Sequence, residues 1–585
     1  MSVAINRAET NREDQGITRF MILLVLVLVF GLRIVHMASA LQSPLMFQPG
    51  PDEEFYLRFG KAVAAGTSRT AEFAFMDPAY GYMMGTVFKL LGPNIFVIYL
   101  IQVLLDTITA YGILLIGREF GRSRAGLLGA LLYGLTCTAI YFSTTLLKAT
   151  WVANFMTFWV LLSLVLLRSG NLATWLLMGV FCGYGVALRS NLMLMAALSI
   201  VLLPWLDRTE PTRLKFPVSL RIAMLAMGLA VPLIFLSVRN EQLSGAFSPV
   251  PNNGGVVLHH LYNPENPKAG LLLPKFVKYA TPSQIWLDYS KEADRRVGHA
   301  LTPHEVDQYW RREALAYMAE HPLGVLGNAL RKLAEFIAYI EVPNNRSLVQ
   351  DRLFSPVLRV LPSPFGWLLA LGVPGIAILL RRDRRAILLV APIAVAAVTV
   401  ALFFSEDRFR FHAVPMLAFG AGVFLEQLYI WFKGGQVSKY VAGIAVSILL
   451  GGSSVVIAKQ MPQPQITWDR VIWGYLKMND KAAIAPAKKL AIQVAAEQPD
   501  NPKIQEALAY IAAAEERFPE AVAYYRRTVE LRTDDHVAHY NLARMLLKVG
   551  NEQEAVKEAR LAVDIEPLPE YQALLKELTT KGNRN

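Results

Sequence analysis

Apolar residues in this chain gather into runs of about 20, separated by short polar stretches, as far as position 458. Roughly 20 apolar residues in a helix cross the hydrocarbon core of a bilayer. The runs predict eleven spans, at 20–39, 94–117, 125–143, 146–167, 172–188, 190–206, 221–239, 365–380, 386–404, 412–432 and 440–458. The break between the fifth and sixth, at Arg189-Ser190-Asn191, is tight, and the eighth run is short unless it opens earlier, around Val357. The first run is too long for a cleavable signal and reads as a retained anchor. Beyond 458 the chain turns polar and rich in Ala, Glu and Lys.

The pattern predicts an all-α polytopic membrane protein with a soluble helical tail. The expected organisation is a short tail at 1–19, a membrane module at 20–458 with large loops at 40–93 and 240–364, and a separate domain at 460–585. Composition agrees: 54% of residues are hydrophobic and 18% charged, against about 25% charged in soluble domains. The net charge of +12 invites a nucleic-acid reading, but the basic residues lie in short loops between apolar runs. No nucleic-acid partner is expected. The two cysteines, Cys137 and Cys182, fall inside apolar runs and read as small fillers.

Charge placement orients the spans. With the N-terminus inside, seventeen Lys and Arg fall in inner segments, among them Arg118, Arg122, Arg124, Arg381, Arg382, Arg384 and Arg385. Eight fall in short outer segments: Arg58, Lys61, Arg69, Lys89, Lys148, Arg189, Arg408 and Arg410. The positive-inside rule then puts both large loops and the tail on the outer side. A loop of about 125 residues is far longer than an ordinary connection and is expected to be folded and functional.

In the tail, residues 502–535 align with 536–569. The second copy carries Leu542, Ala543, Leu546, Gly550, Ala555, Ala559, Ala562 and Pro567, and the first carries Leu508, Ala509, Ala512, Ala521, Tyr525 and Thr528. A weaker copy with Ala487, Ala491, Val494 and Pro499 precedes them. Small residues at these places let antiparallel helices approach closely, and the 34-residue period resembles the tetratricopeptide repeat. Such repeats stack into a concave surface that binds partners.

Directly after the first span runs Gln48-Pro49-Gly50-Pro51-Asp52-Glu53-Glu54-Phe55-Tyr56. Pro51 opens a helix with three carboxylates in its first turn, where the helix dipole favours them. Phe55, Phe59, Ala62 and Val63 fall on one side, which suits a helix lying in the membrane interface. Asp52 and Tyr56 share a face. The acids read either as helix caps or as chemistry. A second acid, in Asp77-Pro78-Ala79-Tyr80, occupies the same outer loop. Two carboxylates there suit proton abstraction from a hydroxyl or the holding of a divalent cation.

The acidic pair after the first span, the helix behind it and the second acidic-proline motif resemble the GT-C superfamily of integral membrane glycosyltransferases. The likeness is to glycosyltransferase family 39, which includes the protein O-mannosyltransferases and aminoarabinose transferases. Further stretches agree in order: Gly92-Pro93-Asn94, Arg118-Glu119-Phe120-Gly121-Arg122, Gly179 to Arg189, Arg239-Asn240, Ser248 to Gly255, and Glu406-Asp407-Arg408-Phe409-Arg410-Phe411 with Pro415. The likeness covers roughly 20–430. It implies transfer of a sugar from a polyprenyl phosphate to an acceptor, a protein or a glycan, outside the membrane, with inversion at the anomeric carbon. No nucleotide sugar is required, and the chain has no P-loop or Gly-rich dinucleotide pattern. The resemblance implies Asp52 as catalytic base, Glu53 beside it shaping the site and Asp77 as second acid. For the lipid phosphate it implies Arg408 and Arg410 by motif, then Lys148 and Arg189, and last Arg58. The chain departs from relatives at Lys148, where an acid is common; this weakens any carry-over of a metal, and no cofactor is assigned beyond an open divalent ion.

Blander readings stand beside these. Arg189 and Arg33 suit snorkelling to the interface, and Arg408 and Arg410 suit pairing with Glu406 and Asp407. His259-His260 reads as a metal pair or as polar loop surface. Glu313 to Phe336, with His321-Pro322 inside, predicts two helices packed over the site by an apolar core face. The rival functions are an oligosaccharide ligase of the O-antigen type using a diphosphate lipid, a transporter and a membrane-tethered scaffold. A bacterial inner membrane is the expected location.

Overall fold

A computed structural model describes residues 17–169, 171–209, 216–277, 281–361, 365–478 and 480–582, which are helical with no strand among them. The N-terminal tail through residue 16, with Arg7 and Arg12, together with Arg213 and Lys215, lies outside the described residues. The long apolar runs form α1 (Arg19–Gln42), α4 (Ile95–Glu119), α5 (Ser123–Gly134), α6 (Cys137–Phe142), α7 (Ala149–Ser169), α8 (Leu172–Leu188), α9 (Met193–Thr209) and α10 (Val218–Ser244). They resume as α17 (Phe365–Leu380), α18 (Ile387–Leu402), the short α19 (Asp407–Arg410), α20 (Val414–Lys433) and α21 (Val437–Lys459). The first outer loop holds α2 (Pro51–Ala65) and α3 (Ala79–Leu91). The large loop holds α11 (Gly254–Leu261), α12 (Pro282–Val297), α13 (Pro303–Glu320), α14 (Pro322–Ile337), α15 (Leu348–Asp351) and α16 (Pro356–Val360). The tail holds α22 (Trp468–Lys477), α23 (Lys481–Glu497), α24 (Pro502–Ala514), α25 (Phe518–Leu531), α26 (His536–Lys548), α27 (Glu552–Ile565) and α28 (Pro569–Gly582).

Among the described residues eight helices are long and apolar enough to cross a membrane. Leu172–Leu188 and Phe365–Leu380 are apolar but shorter. The expected span at 125–143 is not one helix: it breaks at Leu135 between α5 and α6, without a proline. Gln102, early in α4, donates to the carbonyls of Ser143 and Thr145, just behind α6, at 3.1 and 2.9 Å, so α5 and α6 bring the chain back beside the start of α4. The eighth run begins at Phe365, separate from α16 near Val357.

Helix ends follow local chemistry. Asn94 and Asn171 cap α4 and α8 by accepting the amides of Phe96 and Ala173 at 3.0 Å each. Without a hydrophobic drive between helices in lipid, close approach needs small residues. A Cβ at Gly375 would sit 1.8 Å from the Gly420 carbonyl oxygen, which locks α17 onto α20. Apolar side chains left uncovered, such as Phe20, Leu24, Val231, Phe235 and Leu449, lie on spans where lipid covers them.

Three sequence expectations are corrected by burial. Arg33 does not snorkel: it is fully buried, pairs with Asp106, and donates to the carbonyls of Val29 and Gly134 at 3.0 Å each. The apolar side of α2 does not face the interface, because Phe55, Tyr56 and Phe59 bury against Phe73, Tyr80 and Met84. Glu313 to Phe336 is two helices as expected, α13 and α14, but Leu323, Leu326, Leu330 and Leu333 of α14 are exposed rather than core. Both cysteines are buried and unbridged.

The chain divides into two compact units. One comprises the residues up to Leu41 with Gly50–Pro464, and the other comprises Gln42–Pro49 with the chain from Gln465 onward. In the second unit, α26 and α27 begin 34 residues after α24 and α25, the spacing of the sequence repeat. Ala509, Leu542, Ala543, Leu546, Ala555 and Ala559 form its core, as the repeat positions require.

Candidate active site

The three acids that open α2 part company in the structure. Glu53 is the structural one, 2% exposed: its Oε2 accepts the Gly50 amide at 2.7 Å and its Oε1 accepts the Leu146 amide at 3.1 Å. The Arg346 guanidinium stands 3.6 Å from it. Glu53 therefore caps its helix and pins the 144–147 turn. Asp52 points elsewhere. Its Oδ2 accepts from Asn345 Nδ2 at 3.0 Å and from the Arg408 guanidinium, and its main-chain amide donates to Asn345 Oδ1 at 2.7 Å. Both side-chain bonds fall on Oδ2. Oδ1 takes none among the described residues, and the side chain is 15% exposed.

Asp77 forms the second centre. Its Oδ2 accepts from Lys148 Nζ at 2.5 Å, and its Oδ1 accepts the Ser190 amide at 3.0 Å and the Ser190 hydroxyl. Ser190 follows Arg189, so the tight turn between α8 and α9 is what presents that arginine. The Arg189 guanidinium lies over the Phe409 ring, 4.0 Å from its centroid, with Nη1 3.3 Å from His412 Nε2. Arg408 lies on the same ring at 5.0 Å and also bonds Glu406. Arg189 forms no ion pair among the described residues. Burial, and then Arg408, pull it down to about 10, so it stays charged at neutral pH. Burial also lowers Lys148, against the pull of Asp77.

Tyr56 lies between the two acids. Lys148 sits over its ring at 5.4 Å, and its hydroxyl is buried without a hydrogen-bond partner among the described residues. Burial first, then Asp77 and Asp52, raises it well above the ordinary phenol value, so it remains a donor. A buried hydroxyl left unpaired in a structure marks a place for a missing partner.

Asp52 and Asp77 of the first outer loop thus converge with Lys148, Arg189 and Arg408, four outer segments in all, each assigned to the same face by the charge count. Two expected cations do not join them. Arg410 is buried with its donors spent on the carbonyls of Ala338 (2.7 Å) and Ile340 and on Glu341. Arg58 pairs with Glu72 and Ser283. Arg408 does pair with Glu406, as the bland reading has it, while holding Asp52 as well. His259 and His260 are not polar loop surface: His259 is buried 4.3 Å from Trp310, and the half-buried His260 meets Phe404. Among the described residues no three His, Cys, Asp or Glu gather to hold a metal. Sequence reading missed Asn345, Ser190 and His412. The polar run Asn344-Asn345-Arg346, closing a loop before an apolar run, is the one signal that marked Asn345.

The family profile described as dolichyl-phosphate-mannose-protein mannosyltransferase matches residues 76–237, and a tetratricopeptide repeat profile matches residues 512–578. No curated protein matches the chain. Among solved structures the chain is similar to the apo oligosaccharyltransferase of Archaeoglobus fulgidus, with 13% identity over 81% of this chain and 60% of that one, at a TM-score of 0.43. The same archaeal enzyme with an inhibitory peptide and a dolichol-phosphate gives 13% identity, 81% and 59% coverage and a TM-score of 0.43. ArnT from Cupriavidus metallidurans bound to undecaprenyl phosphate gives 14% identity, 68% and 77% coverage and a TM-score of 0.30. The chain spans about three-fifths of the archaeal enzyme's length. The mannosyltransferase profile takes in Asp77, Lys148 and Arg189 and stops short of Asp52, Asn345 and Arg408. On these two profile matches the chain resembles the GT-C integral membrane glycosyltransferases and carries a C-terminal tetratricopeptide repeat domain.

Proposed function

We propose that this protein transfers a sugar from a polyprenyl-phosphate donor to an acceptor hydroxyl at the outer face of a bacterial inner membrane, with inversion. The observation that carries the reading is the Asp52 carboxylate. Asn345 and Arg408 hold it by one oxygen, and the other is left open beside a group of cations. In the reaction Asp52 Oδ1 takes the proton of the acceptor hydroxyl as that oxygen bonds to the anomeric carbon. The bond from that carbon to the phosphate oxygen breaks on the opposite face, and its electron pair stays on the lipid phosphate. Charge grows there, and preorganised cations stabilise it in a site shielded from water. Arg189 fits that role best because no carboxylate neutralises it. Lys148 shares it with Asp77, and the Tyr56 hydroxyl supplies a further donor to sugar or phosphate oxygen. Arg408 orients the base; Arg410 and Arg58 have no part in the phosphate site. Asp77 holds Lys148 and the Ser190 turn.

The tail, in this reading, presents a protein acceptor or a partner in glycan assembly. The test is transfer in proteoliposomes from a panel of radiolabelled polyprenyl-phosphate sugars to an outer-face acceptor fraction. Label leaving the monophosphate lipid for the acceptor supports the proposal. Transfer confined to diphosphate-linked oligosaccharides overturns it in favour of the ligase, and lipid movement without transfer favours a transporter.

A further inference from the structure

We infer that the helical tail is a positioning element for Asp52, acting through the connector 43–48. The inference rests on the reading of Asp52 as base. The connector comes after the first span and leads straight into α2, yet it belongs to the same compact unit as the tail. It is a tight turn: Ser43 Oγ accepts the Leu45 amide at 3.2 Å, and Pro44 and Leu45 are buried. Against it lies α22. A Cβ on Gly474 would come within 2.3 Å of the Pro44 carbonyl oxygen, so only glycine permits this approach. Arg470 Nε donates to the Gln48 carbonyl at 3.0 Å. The same helix sends Ile472, fully buried, into the solenoid core with Ala487, Ala491 and Ile504. The connector is therefore gripped by a helix that is itself built into the repeat stack.

Beyond the gripped turn the chain is stiff. Gln48 leads into Pro49-Gly50-Pro51, and each proline fixes its own φ and restricts the residue before it. Gly50 is extended, with φ −71° and ψ 166°, and donates to Glu53. A Cβ there would meet the Asn345 carbonyl oxygen at 2.4 Å. A shift at Gln48 has no slack to absorb it before Asp52. The position of the carboxylate between Asn345 and Arg408 thus depends on Arg470 and Gly474, two residues more than 400 positions away in the chain.

The experiment uses the full-length protein in proteoliposomes, as wild type, Arg470→Ala, Arg470→Lys and Gly474→Leu. Two readouts are taken together: hydrogen exchange of the Asp52 amide, and kcat and donor KM for transfer. In Arg470→Ala the Asp52 amide should exchange about fivefold faster, the factor that goes with one ordinary hydrogen bond. Turnover should fall with donor KM unchanged. Arg470→Lys, which keeps a donor, should restore both, and Gly474→Leu should do more harm than Arg470→Ala. Unchanged protection of residues 504–562 shows that the solenoid is folded; if Gly474→Leu loses it, the Arg470 pair decides. Asp52 exchange equal to wild type in Arg470→Ala overturns the inference, as does faster exchange with kcat intact. Faster exchange in a protein whose wild type transfers no sugar from any donor upholds the mechanical link and overturns the reading of Asp52 as base.

Discussion

Asp52 and Arg408, 356 positions apart, share one carboxylate–guanidinium contact. The pairing joins the helix after the first span to the turn before α20. It uses only one oxygen of the acid, and Asn345 uses the same one. A carboxylate held at a single oxygen is oriented without being consumed. Arg408 in turn bonds Glu406, so its own position survives small changes at Asp52.

That last point makes Asp52→Asn an informative variant. Asparagine is isosteric and still offers an oxygen to Asn345 and Arg408, so the fold should hold. Without a general base, transfer should fall roughly 10²- to 10⁴-fold. Proteoliposome assays at matched melting temperature check this. Transfer equal to wild type would leave Asp52 only the structural role of tying α2 to Asn345 and Arg408.

Arg189→Met should act on the donor. Its guanidinium is half-buried, forms no ion pair among the described residues and stacks on Phe409. Loss of one charged contact to a phosphate should raise donor KM about 10- to 100-fold. The wild type should show a matching pH effect. The arginine is held down to about 10 by burial and by Arg408, and only its protonated form attracts an anion. Donor affinity should therefore weaken as pH rises through about 10. An Arg189→Met enzyme with unchanged donor KM would remove Arg189 from the phosphate site.

Glu53 should separate from Asp52 by its effect on stability. Removing it in Glu53→Ala leaves the Gly50 and Leu146 amides unpaired and takes a buried carboxylate from beside Arg346. A loss of about 3 kcal/mol is expected. Glu53→Gln keeps one acceptor oxygen and should lose less. Thermal unfolding in detergent checks the order; a Glu53→Ala protein as stable as wild type would contradict the capping role.

The spans and the repeat were legible because each depends on composition and period alone. Twenty apolar residues need a bilayer, and alanines 34 apart need a stacked neighbour. Features set by distant packing were not legible. The break between α5 and α6 has no proline to announce it, and beside it the Gly134 carbonyl accepts from Arg33. The Phe55–Phe59 face looked ready for lipid, but Phe73 and Tyr80, from later in the same loop, bury it. In the site, Asp52 and Glu53 are adjacent and chemically alike. Only their partners at 345 and 346, nearly 300 residues later, give one an open oxygen and the other none. Asn345 itself is a neutral amide, a residue type that signals little without its contacts.

The large loop should be acid-sensitive through two histidines. Burial holds His259 and His260 down to about 4, with Arg296 adding to the effect at His259; an exposed imidazole protonates near 6.5. Between those values the unfolded chain binds protons that the folded one does not. Stability from these rings is therefore complete above 6.5 and is lost as pH falls toward 4, by about 1.4 kcal/mol per pH unit for each ring. His259→Phe keeps a ring against Trp310, 4.3 Å away in the wild type, and removes one of the two titrations. Denaturant unfolding followed by tryptophan fluorescence from pH 7.5 to 4.5 should give a shallower acid slope for the variant, by about half of the histidine contribution. Parallel slopes for the two proteins would show that His259 protonates in the folded loop as readily as in water, which its buried contact with Trp310 argues against.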